Sequence, residues 1–168
     1  HVPAYLGDKL AAQLVFSVAD GHVVPNEESV AALEAVMPAD TDLIIGVGSG
    51  VINDIAKYTS FHHKLPYYII ATAPSMDGYA STCASMFIDH LKTSLYVKCP
   101  TAIIADIDVV RNAPMRMIQA GVGDMIAKYV ALAEWRISHL INGEYYCEAV
   151  ADMMRAAMAK VVASVDGV

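Results

Sequence analysis

The sequence predicts an α/β protein: a Rossmann-like domain with a parallel sheet, followed by the start of an all-α domain. Short aliphatic runs at residues 43–45 and 67–70 are typical of strands covered on both faces, and the segment between them has helical spacing. Beyond Pro114 the apolar residues keep helical spacing almost to the end. We therefore expect one domain at 1–110 and the first part of a helical domain at 111–168.

The composition favours a folded protein and excludes several partner classes. Hydrophobic residues make up 56% of the 168 residues and charged residues 17%, which supplies a core and leaves too little charge for a disordered chain. The formal charge of -7 comes without a cluster of Lys or Arg, so nucleic acid and anionic membranes are poor partners. Three separated cysteines, and no apolar run long enough to span a bilayer, favour a cytoplasmic protein without membrane insertion.

Local signals predict the first elements. A helix, a short strand and a turn are expected at residues 6–14, 15–18 and 20–21. Asn26 is a strong N-cap for the next helix, because Glu27 and Glu28 follow it in the first turn, where the helix dipole favours acidic residues. The apolar face of this helix, marked by Val30 and Leu33, should lie on a sheet.

A strand, a glycine loop, a helix and a second strand come next along the chain. The strand at 43–45 ends in the loop 46–50, which carries three glycines, and the helix then runs to about Thr59. The second strand is expected at 67–70. This order predicts a crossover connection between two parallel strands.

The rest of the chain is expected to hold a hairpin, one more strand and two long helices. The hairpin turns at Asp89-His90, and Asn142-Gly143 is a stop signal between the helices. The expected positions are 86–97 for the hairpin, 101–105 for the strand, and 125–137 and 145–165 for the helices.

The glycine loop is the first candidate site. Glycines between a strand and a helix let backbone amides approach an anion, and the helix N-terminus adds partial positive charge, so a pyrophosphate is the natural ligand. The spacing matches neither GxGxxG nor a P-loop, and a purely structural corner is an equally good interpretation. Asp54, in the first helical turn, either binds a nucleotide hydroxyl or caps amides.

A polar loop at 72–81 and the segment Gly121-Val122-Gly123-Asp124 are the other candidates. The loop follows a parallel strand at the edge where ligands bind in open α/β sheets, and its hydroxyls and Asp77 suit a polyhydroxylated ligand; a solvated turn is the alternative. On local grounds Asp124 is the N-cap of a long helix, paired with Lys128 at i,i+4. Its functional interpretation is a metal ligand, although a single carboxylate does not hold a catalytic metal.

Taken together, these segments resemble one family. They are GSGVINDIAKY at 48–58, PSMDGYAS at 74–81 and AGVGDMIAKY at 120–129, with NGEYYC at 142–147 completing the set. In this order they resemble the iron-type alcohol dehydrogenase and dehydroquinate synthase superfamily, and within it the sn-glycerol-1-phosphate dehydrogenases. Each segment alone is a weak signal, and their joint occurrence is a specific one.

The resemblance implies a cofactor, NAD or NADP, and assigns its contacts. The residues implied for the pyrophosphate are Gly48, Ser49, Gly50, Val51, Ile52, Asn53 and Asp54, and those for the nicotinamide half are Thr72, Ala73, Pro74, Ser75 and Ser81. Asp77 and Asp124 are implied to bind the substrate. Asp124 is also implied to be catalytic, as one of three ligands of a divalent metal. The implied metal is usually zinc, with nickel or iron in relatives.

The resemblance also implies an activity and an incomplete chain. In such enzymes the other two metal ligands are histidines of a later helical half, and the family's first strand precedes this segment, so we expect a fragment. The implied reaction of the complete protein is reduction of dihydroxyacetone phosphate to sn-glycerol 1-phosphate, in a homo-oligomer. The alternatives are a glycerol or polyol dehydrogenase, another enzyme of the superfamily, or a non-catalytic nucleotide-binding fragment. Alone, the chain is expected to be inactive and to self-associate through its apolar helices.

Overall fold

The computed structural model describes residues 2–17 and 22–165. These residues form two compact units. The first unit contains the described part of residues 1–72 together with Gly78–Val110, and the second contains Ala73–Asp77 and the chain from Arg111 onward. The sequence places 73–77 within the expected domain at 1–110, whereas in the structure this short segment makes its contacts with the helical unit.

The first unit alternates helices and strands. In chain order its elements are α1 (Val2–Leu6), a 3-10 turn (Gly7–Lys9), α2 (Glu27–Val36), β1 (Ile44–Gly48), α3 (Gly50–His62), β2 (Tyr67–Ala71), a 3-10 turn (Gly78–Ala80), β3 (Cys83–Ile88), β4 (Leu91–Tyr96), β5 (Ala102–Ile104) and α4 (Ile107–Val110).

The N-terminal stretch differs from the expectation. The predicted helix over 6–14 is wrong, because Gly7 adopts a left-handed conformation with φ of 55° just after α1, and residues 10–17 belong to no helix or strand. The predicted strand at 15–18 has no counterpart at 15–17. Val18 and the predicted turn at Asp20-Gly21 lie outside the described residues. The next helix, α2, begins as predicted: Asn26 Oδ1 accepts a hydrogen bond from the Ser29 N–H at 3.0 Å.

The predicted parallel pairing is confirmed. β1 and β2 run side by side in parallel, with Ile44 beside Tyr67 and Gly48 beside Ala71. β5 pairs in parallel with the other side of β2, so the strand order is β1-β2-β5. Since the three strands point the same way, the ends of β1 and β2 that carry the glycine loop and the polar loop meet at one edge of the sheet.

The hairpin is confirmed, and its turn is of a specific type. β3 and β4 are antiparallel, with Ile88 beside Leu91. The two turn residues, Asp89 and His90, have φ of 49° and 65°. Positive φ at both central positions is the type I′ turn that matches the twist of a two-residue hairpin.

α3 lies between the two sheets of the first unit. Its Ile55 joins a buried cluster with Val30 of α2 and Ala84 and Met86 of β3, and its Ala56 joins a second cluster. That second cluster contains Ile44, Tyr67 and Ile69 of the parallel sheet. The apolar face of α2 marked by Val30 therefore packs on α3 and on the two-stranded sheet β3-β4, which confirms the prediction that this face lies on a sheet.

The second unit consists of two long helices and the segment Ala73–Asp77. Its helices are α5 (Met115–Asn142) and α6 (Glu148–Ala163). α5 begins ten residues before the expected start, with Pro114 at its N-cap position, so the prediction that Asp124 is an N-cap is wrong. The predicted stop is confirmed: Gly143 ends α5 in the left-handed conformation, with φ of 69°.

Both long helices carry exposed apolar side chains, as the sequence predicts. Leu140 and Ile141 of α5 are 71% and 76% exposed, and Met153 of α6 is 74% exposed. In the part of the chain that the structure describes, no helix combines the length and the apolar character needed to cross a membrane.

Candidate functional site

The turn from β1 into α3 brings the first group of candidate residues to the edge of the sheet. Gly48 is the last residue of β1, Ser49 is the N-cap of α3, and Gly50 is its first residue. Thr72, just past the end of β2, donates its N–H to the Gly48 carbonyl oxygen at 3.1 Å. The two loops that follow β1 and β2 are thus joined by a backbone hydrogen bond.

Gly48 is required by close packing at this turn. A Cβ at position 48 would lie 2.6 Å from Cγ1 of Ile52 in the first turn of α3. A side chain there would push the helix away from the strand end. The glycine therefore lets the N-terminus of α3 sit directly against the carboxyl end of β1.

The N-terminus of α3 is suited to bind an anion. Among the described residues, no side chain caps it: Ser49 makes no capping hydrogen bond, and the first turn contains no acidic residue. Asp54, which the sequence predicts to lie in the first turn, is the fifth residue of the helix. The first intrahelical bond runs from the Asn53 N–H to the Ser49 carbonyl oxygen at 3.0 Å. The N–H groups of Gly50, Val51 and Ile52 precede that bond, so they are the donors available to a phosphate group.

Asn53 and Asp54, the last two residues of the predicted pyrophosphate set, are more buried than a direct contact with a cofactor would suggest. The Asn53 side chain is fully buried, and its Oδ1 accepts a long hydrogen bond of 3.5 Å from the Tyr67 hydroxyl. Asn53 supports the turn from inside the protein, away from any surface that a cofactor would touch. Asp54 is partly buried. Desolvation raises its pKa to about 6, against the opposing effects of the Lys57 ammonium and the Ser85 N–H.

Sequence reasoning gave no role to Lys57, which is the one charged side chain among those that the structure describes as fully buried. Lys57 is fully buried on α3, and its Nζ donates to four oxygen atoms at 2.9–3.2 Å. They are the carbonyl oxygens of Gly78, Ser81 and Cys83 and the hydroxyl of Ser81. Burial lowers the pKa of Lys57, and the nearby Asp54 works against that shift. The sequence feature that could have indicated this role is a single lysine at a position of α3 that faces the core.

Ser81 is engaged inside the protein. Its hydroxyl accepts a hydrogen bond from Lys57 at 3.1 Å and lies 3.0 Å from the carbonyl oxygens of both Gly78 and Cys83. A hydroxyl has one proton to donate, so these contacts use its donor and one lone pair. The predicted nicotinamide contact of Ser81 stays a prediction, and the structure adds a role in ordering the loop.

In the second unit, Asp77, Asp124 and Lys128 form a charged cluster. Asp124 Oδ2 accepts the Asp77 N–H at 2.8 Å, and Asp124 Oδ1 lies 3.2 Å from Lys128 Nζ, which confirms the predicted i,i+4 pair. Lys128 Nζ also lies 3.0 Å from Asp77 Oδ2. Burial raises the pKa of Asp124, but the Asp77 N–H and the Lys128 ammonium outweigh it, so the pKa is lowered and the group is ionised near neutral pH.

Gly121 permits the close packing that forms this cluster. A Cβ at position 121 would overlap the Pro74 carbonyl oxygen and lie 3.0 Å from the Pro74 carbonyl carbon. Around Gly123, by contrast, no atom lies within 4 Å of such a Cβ. Gly121 thus lets the segment that carries Asp77 lie against α5, one turn before Asp124.

A metal centre does not fit the described residues by themselves. Within residues 2–17 and 22–165, no group of three His, Cys, Asp or Glu side chains is placed to share an ion. Both carboxylate oxygens of Asp124 already have partners in the cluster with Asp77 and Lys128. A catalytic site of three protein ligands would need groups beyond these.

Comparisons with known proteins agree with this fold. A relative from Geobacillus thermodenitrificans, named glycerol-1-phosphate dehydrogenase [NAD(P)+], is 38% identical over 137 residues, which are 82% of this chain and 34% of the relative. A relative of the same name from Bacillus subtilis is 39% identical over 139 residues, 83% of this chain and 35% of the relative. The chain therefore spans about a third of the length of these relatives.

A solved structure and a family description point the same way. The crystal structure of glycerol dehydrogenase from Schizosaccharomyces pombe superposes with a TM-score of 0.57 at 30% identity, covering 68% of this chain and 29% of that one. Residues 2–114 match the family described as iron-containing alcohol dehydrogenase. This match covers more than half of the chain, so the chain belongs to the iron-containing alcohol dehydrogenase family.

Proposed function

We propose that this chain carries the dinucleotide-binding part of an NAD(P)-dependent glycerol-1-phosphate dehydrogenase. The reaction is the reversible reduction of dihydroxyacetone phosphate to sn-glycerol 1-phosphate. The observation that carries the proposal is the uncapped N-terminus of α3, packed against the carboxyl end of β1 at the edge of a parallel sheet. The names of the relatives support the substrate and the cofactor.

The first unit acts in this proposal as the cofactor-binding domain. The N–H groups of Gly50, Val51 and Ile52 donate to the diphosphate, and Gly48 lets the helix end that carries them pack against β1. When bound, the dinucleotide supplies the hydride for the reaction. The chain's part is to hold and orient it, with Thr72 and Ser81 of this unit proposed as contacts of the nicotinamide half.

The second unit acts as the start of the metal- and substrate-binding domain. Asp77 is proposed to accept a hydrogen bond from a hydroxyl of the triose, since its Oδ2 faces only Lys128 among the contacts described above. Asp124 is proposed as the catalytic residue and as one ligand of the divalent metal implied by the family. Zinc is the proposed ion, with nickel or iron as the alternatives that the resemblance implies.

A negative charge introduced at the N-terminus of α3 tests the proposed cofactor site. Ser49→Asp places a carboxylate where a phosphate would bind, and both an aspartate and a phosphate satisfy the same N–H groups. We expect the affinity for NADH and NADPH to fall at least about tenfold, while the unfolding midpoint stays the same or rises. Ser49→Asn is the matched control, because it caps the helix without the charge and should weaken binding much less.

Two outcomes would contradict the proposal. If Ser49→Asp and wild type bind NADH and NADPH equally, the N-terminus of α3 is not the phosphate site. For the substrate, the product of the complete gene should oxidise NADH or NADPH with dihydroxyacetone phosphate and added zinc or nickel, and not with unphosphorylated dihydroxyacetone. Turnover of the unphosphorylated ketone alone would favour a polyol dehydrogenase.

A further inference from the structure

The buried ammonium group of Lys57 links the helix that carries the proposed phosphate site to the loop after β2. Lys57 lies two turns after the α3 N-terminus, on the same helix. Its Nζ holds Gly78 and Cys83 through their carbonyl oxygens, and Ser81 through both its carbonyl and its hydroxyl. These partners lie 21 to 26 residues away in sequence, so the contacts are tertiary and not helical.

The burial of the Lys57 ammonium distinguishes these hydrogen bonds from those of a surface lysine. The Lys57 side chain has no solvent exposure, and burying an ammonium is costly unless its donors are satisfied. Three N–H donors are shared among four oxygen acceptors, all of them neutral. A leucine or methionine at this position would fill the same space, so the charge does more than pack: it fixes the path of the main-chain carbonyls of Gly78, Ser81 and Cys83.

The anchored residues bracket the predicted nicotinamide contacts. At one end, Thr72 donates its N–H to the Gly48 carbonyl oxygen at the end of β1. At the other end, Lys57 holds Gly78 and Ser81. Two of the residues that the family resemblance assigns to the nicotinamide half are therefore hydrogen-bonded to the β1–α3 segment: Thr72 to Gly48, and Ser81 to Lys57.

We propose that Lys57 is a positioning residue, which holds the 78–83 loop so that the nicotinamide half of the cofactor is bound in register with its phosphates. The proposal rests on the proposed function. It separates two parts of one ligand: the diphosphate is held by the α3 N-terminus without Lys57, whereas the nicotinamide half depends on the loop that Lys57 anchors. Lys57 itself touches no part of the cofactor.

The test compares a whole cofactor with a fragment of it. Lys57→Met removes the charge and keeps most of the volume, and calorimetry measures the affinity of the chain for NADH, NADPH and ADP. ADP carries the diphosphate and lacks the nicotinamide half. We expect the affinity for the dinucleotide to fall about tenfold or more and the affinity for ADP to change less than about twofold. Lys92→Met, an exposed lysine of β4, is the control for loss of one charge, and it should leave both affinities unchanged.

Each outcome decides the inference. If Lys57→Met binds the dinucleotide as well as wild type, or loses ADP and dinucleotide equally, Lys57 has no positioning role, and the proposed function still stands. If wild type binds none of the three ligands, the proposed function fails and this inference falls with it. If Lys57→Met does not fold, Lys57→Gln decides: it removes the charge and keeps two N–H donors, and a selective loss of about threefold for the dinucleotide is expected. Unchanged binding by Lys57→Gln would overturn the inference.

Discussion

Gly121→Ala should destabilise the helical unit, although alanine is the better helix former. The new Cβ would lie 3.0 Å from the Pro74 carbonyl carbon and would overlap the Pro74 oxygen. Carbon atoms pack at about 3.5–4.0 Å, so the 73–77 segment must move by at least about 0.5 Å, and further for the oxygen to clear. Gly123→Ala, two residues on, meets no atom within 4 Å and is the matched control.

The two variants isolate one energetic effect. Each gains about 1 kcal/mol of helix propensity, so the difference in their free energies of unfolding is the steric cost at position 121, about 1–3 kcal/mol. Trp135 is the only tryptophan and lies in α5, so its fluorescence during urea unfolding reports on this unit. In Gly121→Ala the Asp77 amide should also lose its 2.8 Å bond to Asp124, which shifts its NMR resonance. Equal stability of the two variants would refute the close approach of Pro74 to α5.

Two further variants test the first unit. Burial raises the pKa of Asp54 from 3.8 to about 6, so the folded protein loses stability as the pH rises from about 4 to above 6 and Asp54 ionises. Asp54→Asn should therefore stabilise the fold by about 1 kcal/mol at pH 8, after allowance for solvent screening of a partly exposed group. At pH 4 the same variant should have hardly any effect on stability. Urea unfolding at both pH values measures this, and a gain independent of pH would contradict it. Replacing Asp89-His90 by Asn-Gly should raise stability by about 1 kcal/mol, because both positions have positive φ; an unchanged thermal midpoint would argue against the type I′ turn.

The elements that the sequence predicted best are those with local causes. Asn26 starts α2 because its side chain reaches the Ser29 N–H three residues away, and Gly143 ends α5 because it takes a left-handed conformation. The hairpin turn at Asp89-His90 likewise involves two adjacent residues, and the parallel pairing of β1 with β2 follows from the order of successive elements along the chain. For the same reason the sequence alone indicates the glycine turn before α3 as a candidate anion site.

The failures have tertiary causes. Gly121 and Gly123 resemble a helix start, yet α5 runs through them from Met115, because Gly121 serves contact with Pro74 and not a turn. The partners of Lys57 lie more than twenty residues further along the chain, so no local pattern shows that its ammonium is buried among carbonyls. Lys128 was expected beside Asp124, but its second contact, with Asp77, depends on the path of a distant loop.

The strand register of the parallel sheet also bears on the order in which the protein folds. β1 pairs with β2 at a spacing of 23 residues, Ile44 with Tyr67, and one helix closes the connection; β2 pairs with β5 at 34 residues, Tyr68 with Ala102, across the whole hairpin. Closing the shorter loop costs less chain entropy, so the β1–α3–β2 segment can assemble as soon as Ala71 has left the ribosome. The proposed phosphate-binding turn thus belongs to the earliest part of the sheet that synthesis makes available.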